Sequence, residues 1–162
     1  MNPESPLGAS PSADPAAPDA PRVPGFVKEA LDLLQRPIIC SLGTLRHGGS
    51  IQINPMWFDY SAPMVRFSHA NTRGKFRNLQ RDPTMTVLII DPDDRERYLE
   101  LSGRLAEVLP DPGGAFHLEL ARRYGEDHTG RVPEAEHRVT LLMLPEQARY
   151  RSSPGVSARR PL

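Results

Sequence analysis

Residues Ile38–Tyr60 read IICSLGTLRHGGSIQINPMWFDY. An apolar run leads through Cys40 to Leu45, a Gly48-Gly49 turn follows, and beyond it Ile51 and Ile53 alternate with Gln52 and Asn54. Successive side chains of a strand point to opposite faces, so this alternation across a glycine turn predicts a β-hairpin. Pro55 lacks the N–H that a ladder needs, which confines it to an edge, a strand start or a bulge and frees the backbone beside it.

Working outward, GFVKEALDLLQRP puts Phe26, Ala30, Leu33 and Leu34 on one stripe and stops before Pro37, the mark of a short amphipathic helix. After the Ser61-Ala62-Pro63 turn, MVRFSH (Met64–His69) is a third strand. TMTVLIID (Thr84–Asp91) is apolar on both faces and predicts a strand buried on both sides, followed by the charged, turn-forming DPDDRER. YLELSGRLAEVL (Tyr98–Leu109) alternates again, GGAFHLELARRYG (Gly113–Gly125) is a helix closed by Gly125, and HRVTLLMLPEQARYR (His137–Arg151) is a last strand. Six strands, few helices and short turns predict an antiparallel barrel or sandwich.

Composition sets the limits of the folded body. Seven of the 18 prolines fall in residues 1–25, with almost no large apolar side chain before Val23, so this segment is expected to be a disordered Pro/Ala-rich tail. The polar, turn-rich residues 152–162 are expected to be a second tail, leaving one domain over residues 26–151. The start of the chain has neither a basic segment nor an apolar run of signal-peptide type, and no stretch reaches the ~20 apolar residues of a membrane span. The single cysteine, Cys40, excludes an internal disulfide, follows Ile38-Ile39 as a small buried strand residue would, and agrees with a reducing compartment. A cytoplasmic location is the expectation. With 20 Lys+Arg against 20 Asp+Glu and 6% aromatics, the chain lacks the basic excess and stacking residues of a nucleic-acid binder.

No phosphate-loop, dinucleotide, nucleophile-elbow or H-E-x-x-H motif occurs, and His47, His69, His117, His128 and His137 have no metal-ligand spacing. What stands out is SHANTRGKFRNLQRDP (Ser68–Pro83), where Arg73, Lys75, Arg77 and Arg81 fall within nine residues of a neutral chain. A strand ending at His69, a polar loop and a helix starting near Lys75 would bring free N–H groups and the positive end of a helix dipole beside Arg73 and Lys75, a corner suited to phosphate. A solvated basic helix is the alternative. Trp57 and Phe58 could wall a flat ligand or simply be core.

Taken together, the order LLQRPIICSLGTLRHGGSIQINPMWFDY, RFSHANTRGKFRNLQRDPTMTVLIIDPDD, RYLELSGRLAEV resembles the split β-barrel flavin and deazaflavin proteins of the pyridoxamine 5'-phosphate oxidase-like superfamily, and within it the branch that uses coenzyme F420. The segment from Lys75 follows the family's K-x-R-N-L-x-x-D-P pattern, while His47-Gly48-Gly49 departs from its acidic-Gly turn. The resemblance implies a six-stranded antiparallel split β-barrel with short flanking helices, a homodimer, and a cofactor at the subunit interface. It implies that Arg73, Gly74, Lys75, Arg77 and Asn78 hold a cofactor phosphate and that Gln52, Asn54, Pro55, Met56 and Trp57 lie along the ring. Arg77, Arg81, Arg97 and Arg104 are candidates for meeting an oligoglutamate tail, and Tyr60 and His69 for donating a proton. The expected activity is hydride transfer from reduced F420 to a conjugated organic acceptor. An FMN-dependent oxidase or reductase, an F420 carrier without turnover and a small nucleic-acid-binding barrel are its rivals.

Overall fold

The computed structural model describes residues 27–126 and 131–152. The expected tail over residues 1–25 and all but the first residue of the one over 152–162 lie outside the described residues, as do Phe26 and His128.

Helix α1 (Val27–Gln35) buries Ala30, Leu33 and Leu34 and leaves Glu29, Asp32 and Gln35 toward water. Pro37 follows its last turn. Strands β1 (Cys40–Leu45) and β2 (Ile51–Met56) form the expected hairpin, closed by hydrogen bonds from Arg46 N–H to Ser50 O at 2.8 Å and from Gly49 N–H to Arg46 O at 3.0 Å. Gly49 has φ of 79°, so the second glycine of the turn is there for its backbone.

Among the described residues seven strands, one more than the sequence predicts, make a single antiparallel sheet in the order β2-β1-β5-β6-β7-β4-β3. The extra one is β3 (Asp59–Ser61), separated from β2 at Trp57-Phe58 and paired instead with β4 (Met64–Ala70). Trp57 and Phe58 interrupt the run because Phe58 is fully buried and its N–H is taken by the Tyr124 hydroxyl at 3.1 Å rather than by a neighbouring strand. Helix α2 (Gly74–Arg81) then leads to β5 (Thr84–Ile90), β6 (Tyr98–Pro110), helix α3 (Ala115–Arg123), a short 3-10 turn at Ala135–His137 and β7 (Arg138–Arg151).

The long strands β6 and β7, of 13 and 14 residues, curl the sheet through register shifts at Ser102/Gly103 and Leu105/Glu107. Gly103 is required at the first: a Cβ there would lie 2.1 Å from the Leu144 carbonyl oxygen. Inside the curl sit Leu42, Phe58, Phe67, Met85, Val87, Ile89, Leu99, Leu101, Leu141 and Met143, all essentially inaccessible. Each such side chain contributes about 1.5–3 kcal/mol relative to exposure.

Strand β5 departs from expectation. Met85, Val87 and Ile89 are buried, but Thr86 and Leu88 are half-exposed and Ile90 is 44% exposed. Its outer face continues into Ile51 and Ile53 of β2, 61% and 63% exposed, and into a concavity of about 350 Å³ lined by Gly43, Leu45, Ile51, Ile53, Thr86 and Leu88. The alternation in β2 is thus as read, with Gln52 and Asn54 on the inner side and the isoleucines outward.

Tyr124 and Arg97 clamp the periphery. The Tyr124 hydroxyl meets Phe58 N–H and the Ile38 carbonyl at 2.9 Å, tying the residue after α3 to both ends of the first hairpin. Arg97 donates to Asp32, Asp91 and Tyr150, locking the β5–β6 turn onto α1. The offered role of Arg97 in meeting a glutamate tail therefore does not fit: its guanidinium is committed to two carboxylates at the far end of β5 from α2. Arg104 likewise pairs with Glu146 on β7. No helix among the described residues is long and apolar enough to cross a membrane.

Candidate functional site

The loop between β4 and α2 is the corner that the sequence pointed to. Arg73 occupies the N-cap position without a side-chain cap, and the helix after it buries Lys75, Asn78 and Leu79. Lys75 is 3% exposed. Leu79 anchors in the core one turn beyond Lys75, so the apolar face of α2 carries the lysine inward with it.

Among the described residues Lys75 has neither a hydrogen bond nor an ion-pair partner, and burial lowers its pKa from 10.5 to about 8. A buried ammonium without a carboxylate is costly in the folded state unless an anion from elsewhere completes it. His69, the residue before the end of β4, is 8% exposed with no partner for Nε2 among the described residues. Burial, followed by the charges of Lys75, Arg73 and Arg138, lowers its pKa to about 4, which leaves a neutral imidazole at neutral pH. Arg138, at the start of β7 opposite Ala70, completes the cluster; burial and the charge of Arg73 lower its pKa as well. Arg73 itself is ion-paired to Glu134, donating from Nε at 2.8 Å and from Nη2, while Thr72 Oγ1 donates to the other Glu134 oxygen at 2.9 Å.

Arg77 and Asn78 act differently from each other. Arg77 is exposed and donates from Nη1 to the Thr72 carbonyl at 2.7 Å, fastening the loop. Asn78 is buried and donates from Nδ2 to Gln52 Oε1 at 3.0 Å and Thr44 Oγ1 at 3.3 Å; Gln52 passes the chain to Asn54 Oδ1 at 2.9 Å. Three of the expected residues, Gln52, Asn54 and Asn78, are thus joined in one amide relay between β2 and α2. Gly74 opens the helix with only the Arg77 side chain near the place of a Cβ.

Pro55, Met56 and Trp57 lie elsewhere, on a concavity of about 300 Å³ shared with Ile39, Ser68, His117 and Leu120. Trp57 stacks on Tyr124 with centroids 5.3 Å apart and planes 18° apart, and on His117 at 5.9 Å and 23°. Its ring is therefore held by α3 as much as by β2. Ser68 connects the two regions, since its hydroxyl accepts from Arg138 Nη1 at 3.4 Å and its residue lines the concavity.

The two proton-donor candidates are not one constellation. Tyr60 pairs with Val65, four residues before His69 on the same face of β4, which separates them by about 13 Å along the strand. Burial raises the Tyr60 pKa, making it a poorer acid. Cys40 is buried, its thiol pushed up to about 12 by burial and hydrogen-bonded to the Met56 carbonyl at 3.4 Å, so it is a packing residue as read. Sequence reasoning missed Arg138, Glu134, Ser68 and Tyr124. Each lies more than 50 residues from its partner in the site and carries no local pattern of its own.

A family model described as pyridoxamine 5'-phosphate oxidase matches residues 26–152. Among solved structures, one named F420 reductase is 37% identical, with 73% of this chain and 94% of that chain covered and a TM-score of 0.71. A conserved hypothetical protein from Mycobacterium tuberculosis is 20% identical over 82% of this chain and 91% of its own, with a TM-score of 0.62. A heme storage protein from Vibrio cholerae is 16% identical over 76% and 93%, with a TM-score of 0.58. At such identities the last two bear on the fold alone.

Proposed function

The chain belongs to the pyridoxamine 5'-phosphate oxidase family, and from that membership we propose that it is an oxidoreductase that holds coenzyme F420 and passes a hydride from the reduced deazaflavin to a conjugated organic acceptor. One observation carries the choice of F420 within the family: the 37% identity, over 94% of its length, to a structure named for that cofactor.

The residues present fit a phosphate-bearing ring cofactor. Lys75 is a buried cation with no carboxylate partner among the described residues, the neutral His69 feels the charges of Lys75, Arg73 and Arg138 together, and the stacked Trp57 lies beyond Ser68. Lys75 and Arg138 would hold the phosphate, with Arg73 and the N–H groups at the start of α2 beside them. Pro55, Met56 and Trp57 would lie against the ring. When bound, the deazaflavin supplies the hydride chemistry itself.

The protein's own tasks are then binding, orientation and exclusion of water. Asn78, Gln52 and Asn54 brace β2 against α2, so that the wall and the cation corner keep a fixed distance. His69, neutral at working pH, can offer an N–H or a lone pair at Nε2 but brings no charge of its own. The exposed isoleucines of β2 and the outer face of β5 form the apolar surface through which we propose that two copies pair.

The test is anaerobic mixing of the protein with reduced F420 and a panel of quinones, bilin-type tetrapyrroles and other conjugated acceptors, following the return of oxidised F420 absorbance. Protein-dependent oxidation with at least one acceptor is expected. Turnover with reduced FMN only would replace the reading by the flavin one, and binding of F420 without any turnover would make the protein a carrier.

A further inference from the structure

Glu134 occupies the one non-glycine position with positive φ among the described residues, at 52°. A glutamate gains nothing intrinsically from the left-handed region, so the backbone there is held by its surroundings. The side chain has both oxygens in use, one on Arg73 and one on Thr72, and the Arg73 bond is the leading reason that its carboxyl is held below the ordinary range. It therefore stays ionised throughout the neutral range, next to the corner that would receive an anion.

The ionisable groups acting on His69 are Lys75, Arg73, Arg138 and Glu134. Those acting on Arg138 are Arg73, Glu134 and Asp111, whose carboxylate also accepts the Phe116 N–H at 3.2 Å. Three cations face two carboxylates, with His69 neutral, so the corner carries a net charge of about +1. Two cationic residues bordering it, Lys75 and Arg138, have no carboxylate bound directly to them in the described residues, whereas Arg73 does. A single negative charge balances this arrangement; a dianion overfills it.

We propose that Glu134 is a specificity-determining residue which, by neutralising Arg73, sets the corner to accept a singly charged phosphodiester in preference to a doubly charged phosphomonoester. This rests on the reading of the corner as the cofactor's phosphate site. The two cofactor classes differ in this respect: FMN ends in a monoester with charge near −2 at neutral pH, whereas the phosphate of F420 is a diester with charge −1. Selection would then come from a repulsive element, a carboxylate placed beside the site, as well as from attractive ones.

The probes are the deazaflavin 5'-phosphate monoester and its methyl diester, which differ by one methyl group and about one charge, titrated by ring fluorescence against the full chain, Glu134→Gln and Glu134→Asn. Gln keeps the shape and an acceptor for Thr72, and Asn tolerates positive φ, so loss of the charge is common to both while the local conformation is kept in two ways. The unmodified protein should favour the diester, and both variants should shift the diester-to-monoester affinity ratio toward the monoester by about 10-fold. A ratio unchanged within about 2-fold in both variants, with both probes still binding, would overturn the role of Glu134 and leave the phosphate site standing. No binding of either probe to any of the three proteins would instead overturn the site itself.

Discussion

Replacing Lys75 by methionine should make the ligand-free protein more stable while removing its affinity for the cofactor. The side chain is 3% exposed and without a partner among the described residues, and its pKa falls from 10.5 to about 8. At about 1.36 kcal/mol for each tenfold change in proton affinity, keeping that charge inside costs the fold about 3 kcal/mol at pH 7. Methionine fills nearly the same volume without a charge, so Lys75→Met should recover most of that, and at roughly 4 °C per kcal/mol for a domain of this size the melting temperature should rise by about 10 °C. The sign with pH follows from the lowered pKa. Between about pH 8 and 10.5 the unfolded chain binds the proton that the fold has released, so the stability of the unmodified protein should rise with pH across that window, and its gap to the variant should close. Thermal melts of both proteins at pH 7, 8, 9 and 10, in buffers without phosphate or sulfate, make the comparison. A variant less stable than the parent at pH 7, or a gap that does not narrow toward pH 10, would refute the picture of an uncompensated buried ammonium.

Ile51→Lys together with Ile53→Lys should turn a particle of about twice the 18.0 kDa chain mass into a monomer in light scattering, because both side chains stand on the exposed apolar face; a parent that is already monomeric at micromolar concentration contradicts that use of the face. Tyr124→Phe leaves the stack on Trp57 but strips a partner from the Phe58 N–H and the Ile38 carbonyl, so it should cost about 1–3 kcal/mol in denaturant unfolding and leave anion affinity at the Lys75 corner unchanged.

The hairpin of Ile38–Tyr60 was legible because its signals are local: a glycine turn and a two-residue period. The cation corner was legible for the same reason, four charges on eight residues of helix and its cap. What the sequence could not reveal was direction. TMTVLIID is apolar on both faces whether the second face meets a helix, a partner or water, and in β5 that face is only half covered. Lys75 and Arg77 look alike in sequence, yet the two-residue step between their positions turns the helix by about 200°, which sends Lys75 to the core side and leaves Arg77 outside. Residues that close the site across the sheet, Arg138 and Glu134 against Arg73 and Ser68, carry no short-range pattern, since strand register and not spacing brings them there. The break at Trp57-Phe58 has no turn residue of its own to announce it, and it is Tyr124, from another helix end, that separates β2 from β3.

Whether the buried ammonium of Lys75 holds the cofactor is decided by a side-by-side fluorescence titration of the unmodified protein and Lys75→Met with F420 and with FMN. The unmodified protein should bind F420 more tightly than FMN, and removing the buried ammonium should lower F420 affinity by at least about 10-fold, the cost of one charge-assisted phosphate contact. Equal F420 affinities for the two proteins, or stronger binding of FMN than of F420, would contradict this reading.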